Sequence, residues 1–181
     1  TGRSRLVEAA FEGNTLFPIR GKSCSTHAIP GLANKFDSYR GFALASLEEI
    51  YTPILLQNSI RFAADTLQCG ILLNDGKGVF SFSALPSLAQ ISPSFGVALS
   101  DFNGDQRCDI ILAQNSFSPQ LETGRMDGGL SLLLLGEEDE NAKFRAIWPD
   151  RSGIVIPGDS KSLTSADLDG DEWPDLVVGV N

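Results

Sequence analysis

Histidine occurs once in these 181 residues, as His27, so any mechanism that needs an imidazole must pass through that position. Cysteine is sparse too. Cys24, Cys69 and Cys108 are odd in number and far apart, and they form neither a metal-binding nor a redox pattern. A Cys24–Cys69 disulfide is one alternative, and buried unpaired thiols are the simpler expectation. No apolar run approaches the roughly 20 residues of a membrane helix. The opening TGRSRLVEAA lacks the apolar core of a signal peptide, although a chain beginning inside a longer protein would lack one anyway. Basic charge is also short, with 14 Lys and Arg against 23 Asp and Glu and a net charge of −9. That balance excludes nucleic acid and anionic membrane surfaces as natural partners. What remains is 42% hydrophobic, punctuated by 18 glycines and 9 prolines, which is the composition of one packed domain of ordinary size.

The acidity is local. DFNGDQRCD, from Asp101 to Asp109, runs into IILAQN, and DLDGDEWPD, from Asp167 to Asp175, runs into LVVGVN. Both place oxygen side chains at loop positions 1, 3, 5 and 9. These are Asp101, Asn103, Asp105 and Asp109 in the first loop, and Asp167, Asp169, Asp171 and Asp175 in the second. Removing the seven loop aspartates leaves 16 acidic residues against 14 basic ones, so the remainder is almost neutral. Carboxylates packed this tightly repel one another without a counter-ion. Hard cations such as calcium take about six to eight oxygen ligands, and alternate residues of a tight loop turn their oxygens inward. Each loop is therefore read as a Ca²⁺ site, two in all. The alternative for each is a solvated aspartate turn without metal.

An EF-hand does not fit. It needs glycine at loop position 6 and a bidentate glutamate at position 12. This chain has Gln106 or Glu172 at the first and Leu112 or Val178 at the second. An EF-hand loop also joins two helices, whereas IILAQN and LVVGVN are short β-branched runs that read as buried strands.

The loops resemble the FG-GAP, or VCBS, repeat of integrin-α-like β-propellers, whose D-x-[DN]-G-D-G-x-x-D loop joins the first two strands of a blade. Gly104 and Gly170 match its glycine at position 4, while Gln106 and Glu172 replace its second glycine. The resemblance implies calcium bound by the side chains at positions 1, 3, 5 and 9 and by the carbonyl at position 7, here Arg107 and Trp173. If position 6 needs a positive φ, a residue with a Cβ there costs on the order of 1 kcal/mol.

The repetition extends past the loops. GILLNDGKGVFSF (Gly70–Phe82) and GLSLLLLGEEDENAKF (Gly129–Phe144) read as strand–turn–strand hairpins. Their spacing is close to the 66 residues between Asp101 and Asp167, and a period of this size signals a propeller or solenoid. The expected layout of one blade is Gly96–Ser100, the loop, Ile110–Gln114, Leu130–Leu135 and Phe144–Ile147. A second blade would begin at Ser162, and a propeller needs about four blades to close. The expected fold is thus all-β, a partial propeller belonging to a larger protein, with blades over residues 67–181 and the last one incomplete.

Residues 1–66 fit this scheme least. LVEAAF and GNTLFPIRG read as a strand and a turn. From Phe36, apolar residues recur at Tyr39, Ala43, Leu47, Ile50, Tyr51 and Ile54 with helical spacing. Asp37 or Ser38 can cap this helix and Pro53 falls near its end. Ile60–Ala64 is expected to return to strand. A small helical insertion of this sort is loosely similar to bacterial proteins of the cartilage-acidic-protein type. Cys24 and His27, in RGKSCSTH beside Arg20 and Lys22, are the one pair with catalytic chemistry, but no third residue is placed to orient them. Phe117–Gly129 reads as a long connection whose Arg125 and Asp127 are solvated turn residues.

Loops that bind calcium weakly stay loaded only where calcium is high, which points to an extracellular, cell-surface or periplasmic location. A ligand set filled by the protein leaves little room for substrate. The expectation is a non-enzymatic binding or adhesion module with a protein or carbohydrate ligand. The alternative is a propeller of an exported enzyme acting on polysaccharide or another polymer, with catalytic residues elsewhere.

Overall fold

A computed structural model describes residues 5–119, 123–138 and 143–181. The chain divides into two compact units, Thr1–Ala64 and Asp65–Asn181.

The first unit opens with an antiparallel hairpin, β1 (Ala9–Glu12) and β2 (Thr15–Pro18), which pairs Ala9 with Pro18 and Glu12 with Thr15. Four short helices follow: α1 (Lys22–Ala28), α2 (Tyr39–Leu44), α3 (Leu47–Tyr51) and α4 (Pro53–Gln57). The continuous apolar spacing from Phe36 to Ile54 is thus split in three, because each break satisfies its own backbone. The Ser38 hydroxyl accepts from Gly41 N at 3.0 Å and caps α2. Ser46 and Glu49 form a reciprocal capping box at the start of α3. Thr52, at φ 65°, then turns the chain so that Pro53 opens α4. The inward faces bury Leu32, Phe42, Ala45, Ile50 and Tyr51, with Phe36 meeting Phe42 edge-on at 5.5 Å between centroids. Ile60–Ala64 forms no strand: it finds no partner backbone, and Ile60 and Phe62 are both 85% exposed.

The second unit begins with the hairpin β3 (Gly70–Asn74) and β4 (Phe80–Ala84). Asn74 and Asp75 close its turn by accepting hydrogen bonds from the backbones of Gly76, Gly78, Lys77 and Val79. The Gln90 amide holds the segment before β3, accepting from Cys69 N and donating to Cys69 O, each at 2.8 Å. A four-stranded antiparallel meander follows, in the order β5 (Ser94–Ser100), β6 (Asp109–Gln114), β7 (Leu132–Gly136), β8 (Phe144–Ile147). All six residues of β6 are buried, as expected of an apolar strand paired on both edges. Its Ile110 and Leu112 pack with Leu85, Ala89, Leu132 and Leu134. After the short helix α5 (Pro149–Ser152) comes a last hairpin, β9 (Ser160–Ala166) and β10 (Asp175–Val180).

The architecture corrects the all-β propeller expected from the repeat. The fold is mixed, about 20% helix and 32% strand, with four small separate sheets among the described residues and none of those closed. The physical reason lies in residues 22–57, where capped helical turns close their backbone hydrogen bonds locally and bury their own apolar cluster. No chain there is left in extended form to add to a sheet. The strands themselves form close to the expected bounds in the second unit. The turn of the Gly129–Phe144 hairpin at 139–142, and residues 120–122 of the Phe117–Gly129 connection, lie outside the described residues.

Candidate metal centre

The two acidic loops fold alike and share five backbone hydrogen bonds at matching positions. The carboxylate at position 1 accepts from the glycine at position 4, Gly104 N to Asp101 Oδ1 and Gly170 N to Asp167 Oδ1, both at 2.7 Å. Its other oxygen accepts from position 6, Gln106 N at 2.7 Å and Glu172 N at 3.0 Å. Asp105 N donates to Asn103 Oδ1 at 2.9 Å and Asp171 N to Asp169 Oδ1 at 3.1 Å. Arg107 N donates to Asp105 Oδ1 and Trp173 N to Asp171 Oδ1, at 2.9 and 2.8 Å. Position 9 reaches back to position 2, with Phe102 N on Asp109 Oδ2 and Leu168 N on Asp175 Oδ2, each at 3.0 Å. The aspartates thus shape each loop by tying down its backbone N–H groups. Gln106 and Glu172 both sit at positive φ, 66° and 71°, so the glycine that the resemblance calls for is replaced at a strained position.

The loops differ in what their carboxylates face. In the second, one oxygen each from Asp167, Asp169 and Asp175 lies within 4.8 Å of the others. Calcium–oxygen distances are about 2.4 Å, so ligands on opposite sides of one ion stand about 4.8 Å apart. This is the one such acidic trio among the described residues; Asp171 is outside it and accepts from Trp173 N. In the first loop a guanidinium sits among the carboxylates. Arg107 Nη2 lies 2.5 Å from Asp105 Oδ2, which also accepts from Asn103 Nδ2 at 2.8 Å, and Arg107 Nε donates to Gly136 O at 2.9 Å. Asp109 is fully buried, and its second oxygen accepts from Gly136 N at 2.9 Å. It fastens the loop to the end of β7, where a Cβ on Gly136 would come within 2.6 Å of Cys108 O. For Asp101, desolvation pushes the pKa up, but hydrogen bonds from four backbone N–H groups, led by Gln106 and Gly104, outweigh it and hold the carboxyl below its ordinary value.

Trp173 joins the two loops. Its indole lies over Gly104, where a Cβ would approach Cη2 to 2.8 Å, so the loops are neighbours at one end of the β5–β6 and β9–β10 hairpins. Sequence spacing gives no sign of this contact, nor of the Arg107 ion pair.

Cys24 and His27 both lie on α1, with Cys24 half-buried. No disulfide joins the three cysteines, and Cys108 is exposed rather than buried. Arg125 pairs with Asp127 at 2.9 Å and stacks 3.7 Å from the Phe117 ring centroid, both side chains being more than half exposed. A cavity of about 180 Å³ between Ile71, Leu85, Pro86, Glu137 and Phe144 is a gap between hairpins. No helix among the described residues is long and apolar enough to cross a membrane. No protein-family model, curated protein or solved structure matches the chain.

Proposed function

We propose that the chain is a calcium-binding module with a non-enzymatic role in binding or adhesion, carried by an exported protein. The observation that supports it best is the convergence of Asp167, Asp169 and Asp175 at the spacing of ligands around one cation. The five backbone hydrogen bonds that the two loops share support it further, as does the resemblance to FG-GAP/VCBS loops. Calcium acts here as a staple. It neutralises carboxylates at the tip of a hairpin and leaves the chemistry of any ligand to other surfaces.

The two loops are unequal sites. The second offers four carboxylates, whereas the first offers three and Asn103, with Arg107 already on Asp105. Titration calorimetry with calcium on Asp105→Ala and Asp171→Ala chains isolates each site, and the Asp167 loop is expected to bind more tightly. Arg107→Ala removes a competing cation, a partly exposed one, and should tighten the first site about two- to fivefold. Absence of calcium heat in the parent chain would sink the reading, and equal affinities would sink the ranking.

A further inference from the structure

Trp173 belongs to the second acidic loop by sequence and touches the first. The 66-residue offset that carries Asp101 onto Asp167 also carries Gly104 onto Gly170 and Arg107 onto Trp173. The matching positions nevertheless have different surroundings. Gly104, at φ 78°, has the far edge of the Trp173 indole against it, so a Cβ there would stand 2.8 Å from Cη2 and 3.4 Å from Cζ3. A Cβ on Gly170, at φ 85°, would meet nothing within 4 Å. Arg107 turns to its own loop and to β7, through Asp105 and Gly136 O. The contact thus runs one way, from an indole of the second loop onto a glycine of the first.

Both sides of this contact are tied to loop carboxylates. In the second loop Trp173 N donates to Asp171 Oδ1 at 2.8 Å, and Asp171 is the loop carboxylate outside the trio of Asp167, Asp169 and Asp175. In the first, Gly104 N donates at 2.7 Å to Asp101 Oδ1, which also accepts from Asn103 N and Asp105 N. A short path therefore runs from Asp171 through the Trp173 backbone and indole to Gly104 and Asp101. Three oxygens are half or fewer of the about six to eight that calcium takes, so filling the second site draws on Asp171, the group that holds the Trp173 N–H. Trp173 is 53% exposed, so no packed core fixes its indole independently of the loop.

We propose, on the calcium reading above, that Trp173 couples the two loops, so that calcium in the Asp167 loop raises the affinity of the Asp101 loop. When the second loop is loaded its backbone is ordered, the indole holds Gly104 in place, and the first loop has less ordering left to do on binding. A site already ordered by one ligand is filled more readily by the next. By linkage, calcium in the first loop tightens the second by the same factor.

Titration calorimetry with calcium chloride tests this, in about 0.15 M salt, where exposed charges are screened beyond about 8 Å. Asp105→Ala isolates the second loop, and Asp169→Ala isolates the first while leaving the Asp171–Trp173 bond in place. The product of the two association constants of the parent chain should exceed the product of the two isolated constants by about fivefold or more. In the Trp173→Ala background, which removes the indole and keeps the loop backbone, the excess should fall below about twofold. The chain has two tryptophans, so Trp148→Phe leaves Trp173 as the sole indole. In Trp148→Phe/Asp169→Ala, calcium should shift the Trp173 emission, and adding Asp105→Ala should abolish the shift. Calcium heat at one loop only, equal products in the parent chain, an excess that survives Trp173→Ala, or an indifferent emission would overturn the coupling and leave the calcium reading standing. No calcium heat in the parent chain would overturn both.

Discussion

At the scale of single residues, Asp109 and Asp159 are the buried carboxylates among the described residues of the second unit. Asp159, 3% exposed, meets Lys161 Nζ at 2.6 Å, and Lys161 also donates to Asn115 O and lies 3.6 Å over the Phe95 ring. The Lys161 ammonium is the main cause that lowers the pKa of Asp159; desolvation opposes it, and the Asn181 amide and Phe117 N–H add to the lowering. A carboxyl with a depressed folded-state pKa stabilises the fold fully above its unfolded value of about 3.9, and this is lost as pH falls through the folded value. Asp159→Asn should therefore be less stable than the parent near neutral pH, with the difference shrinking below about pH 4. Urea midpoints at several pH values check this, and a difference that persists at pH 2 would contradict it. Asp101, also depressed, adds to the same acid limb.

At the scale of elements, the internal repeat has unequal halves. Asn115 is fully buried at φ 92° and accepts from Ser92 Oγ and Gly129 N while donating to Gly129 O and Gly158 O. Its counterpart Asn181 touches Asp159 through its side chain, at 3.4 Å. Asn115→Ala strands several buried backbone groups and should cost about 2–4 kcal/mol, whereas Asn181→Ala should cost less than about 1 kcal/mol. Chemical denaturation separates the two, and similar losses would mean that the Asn115 node carries no special load. Much of this level was legible in the sequence. The hairpins announce themselves by alternating apolar residues and glycine-rich turns, and the acidic loops by their spacing, down to the strained position 6. The helices from Tyr39 to Gln57 were legible as apolar spacing but not as three pieces, since their breaks depend on the Ser46–Glu49 box and on Thr52. Asp109 looked like any other loop ligand. Its burial against β7, the Arg107 ion pair and the Trp173–Gly104 contact all come from residues brought near by folding, which spacing cannot encode.

At the scale of the whole molecule, two units are joined through an irregular, exposed stretch. Residues 60–68 are exposed throughout, Phe62 at 85% and Leu67 at 94%. Trypsin at low ratio should cut first at Arg61, ahead of Lys77, whose turn is closed by the Asn74 and Asp75 side chains. Mass spectrometry of the first products would show it, and an early cut at Lys77 would contradict it. Within the second unit the loops lie together, so on the proposed function calcium at either would reinforce one end of two adjacent hairpins. A ligand that binds only the folded state raises stability by mass action. Thermal melting of the chain in EDTA and in about 10 mM calcium is therefore the most direct measurement. For weak sites the gain is about 1–2 kcal/mol, a rise of several degrees in the midpoint, and it should largely vanish in Asp167→Ala. An identical midpoint in EDTA and in calcium would contradict the account.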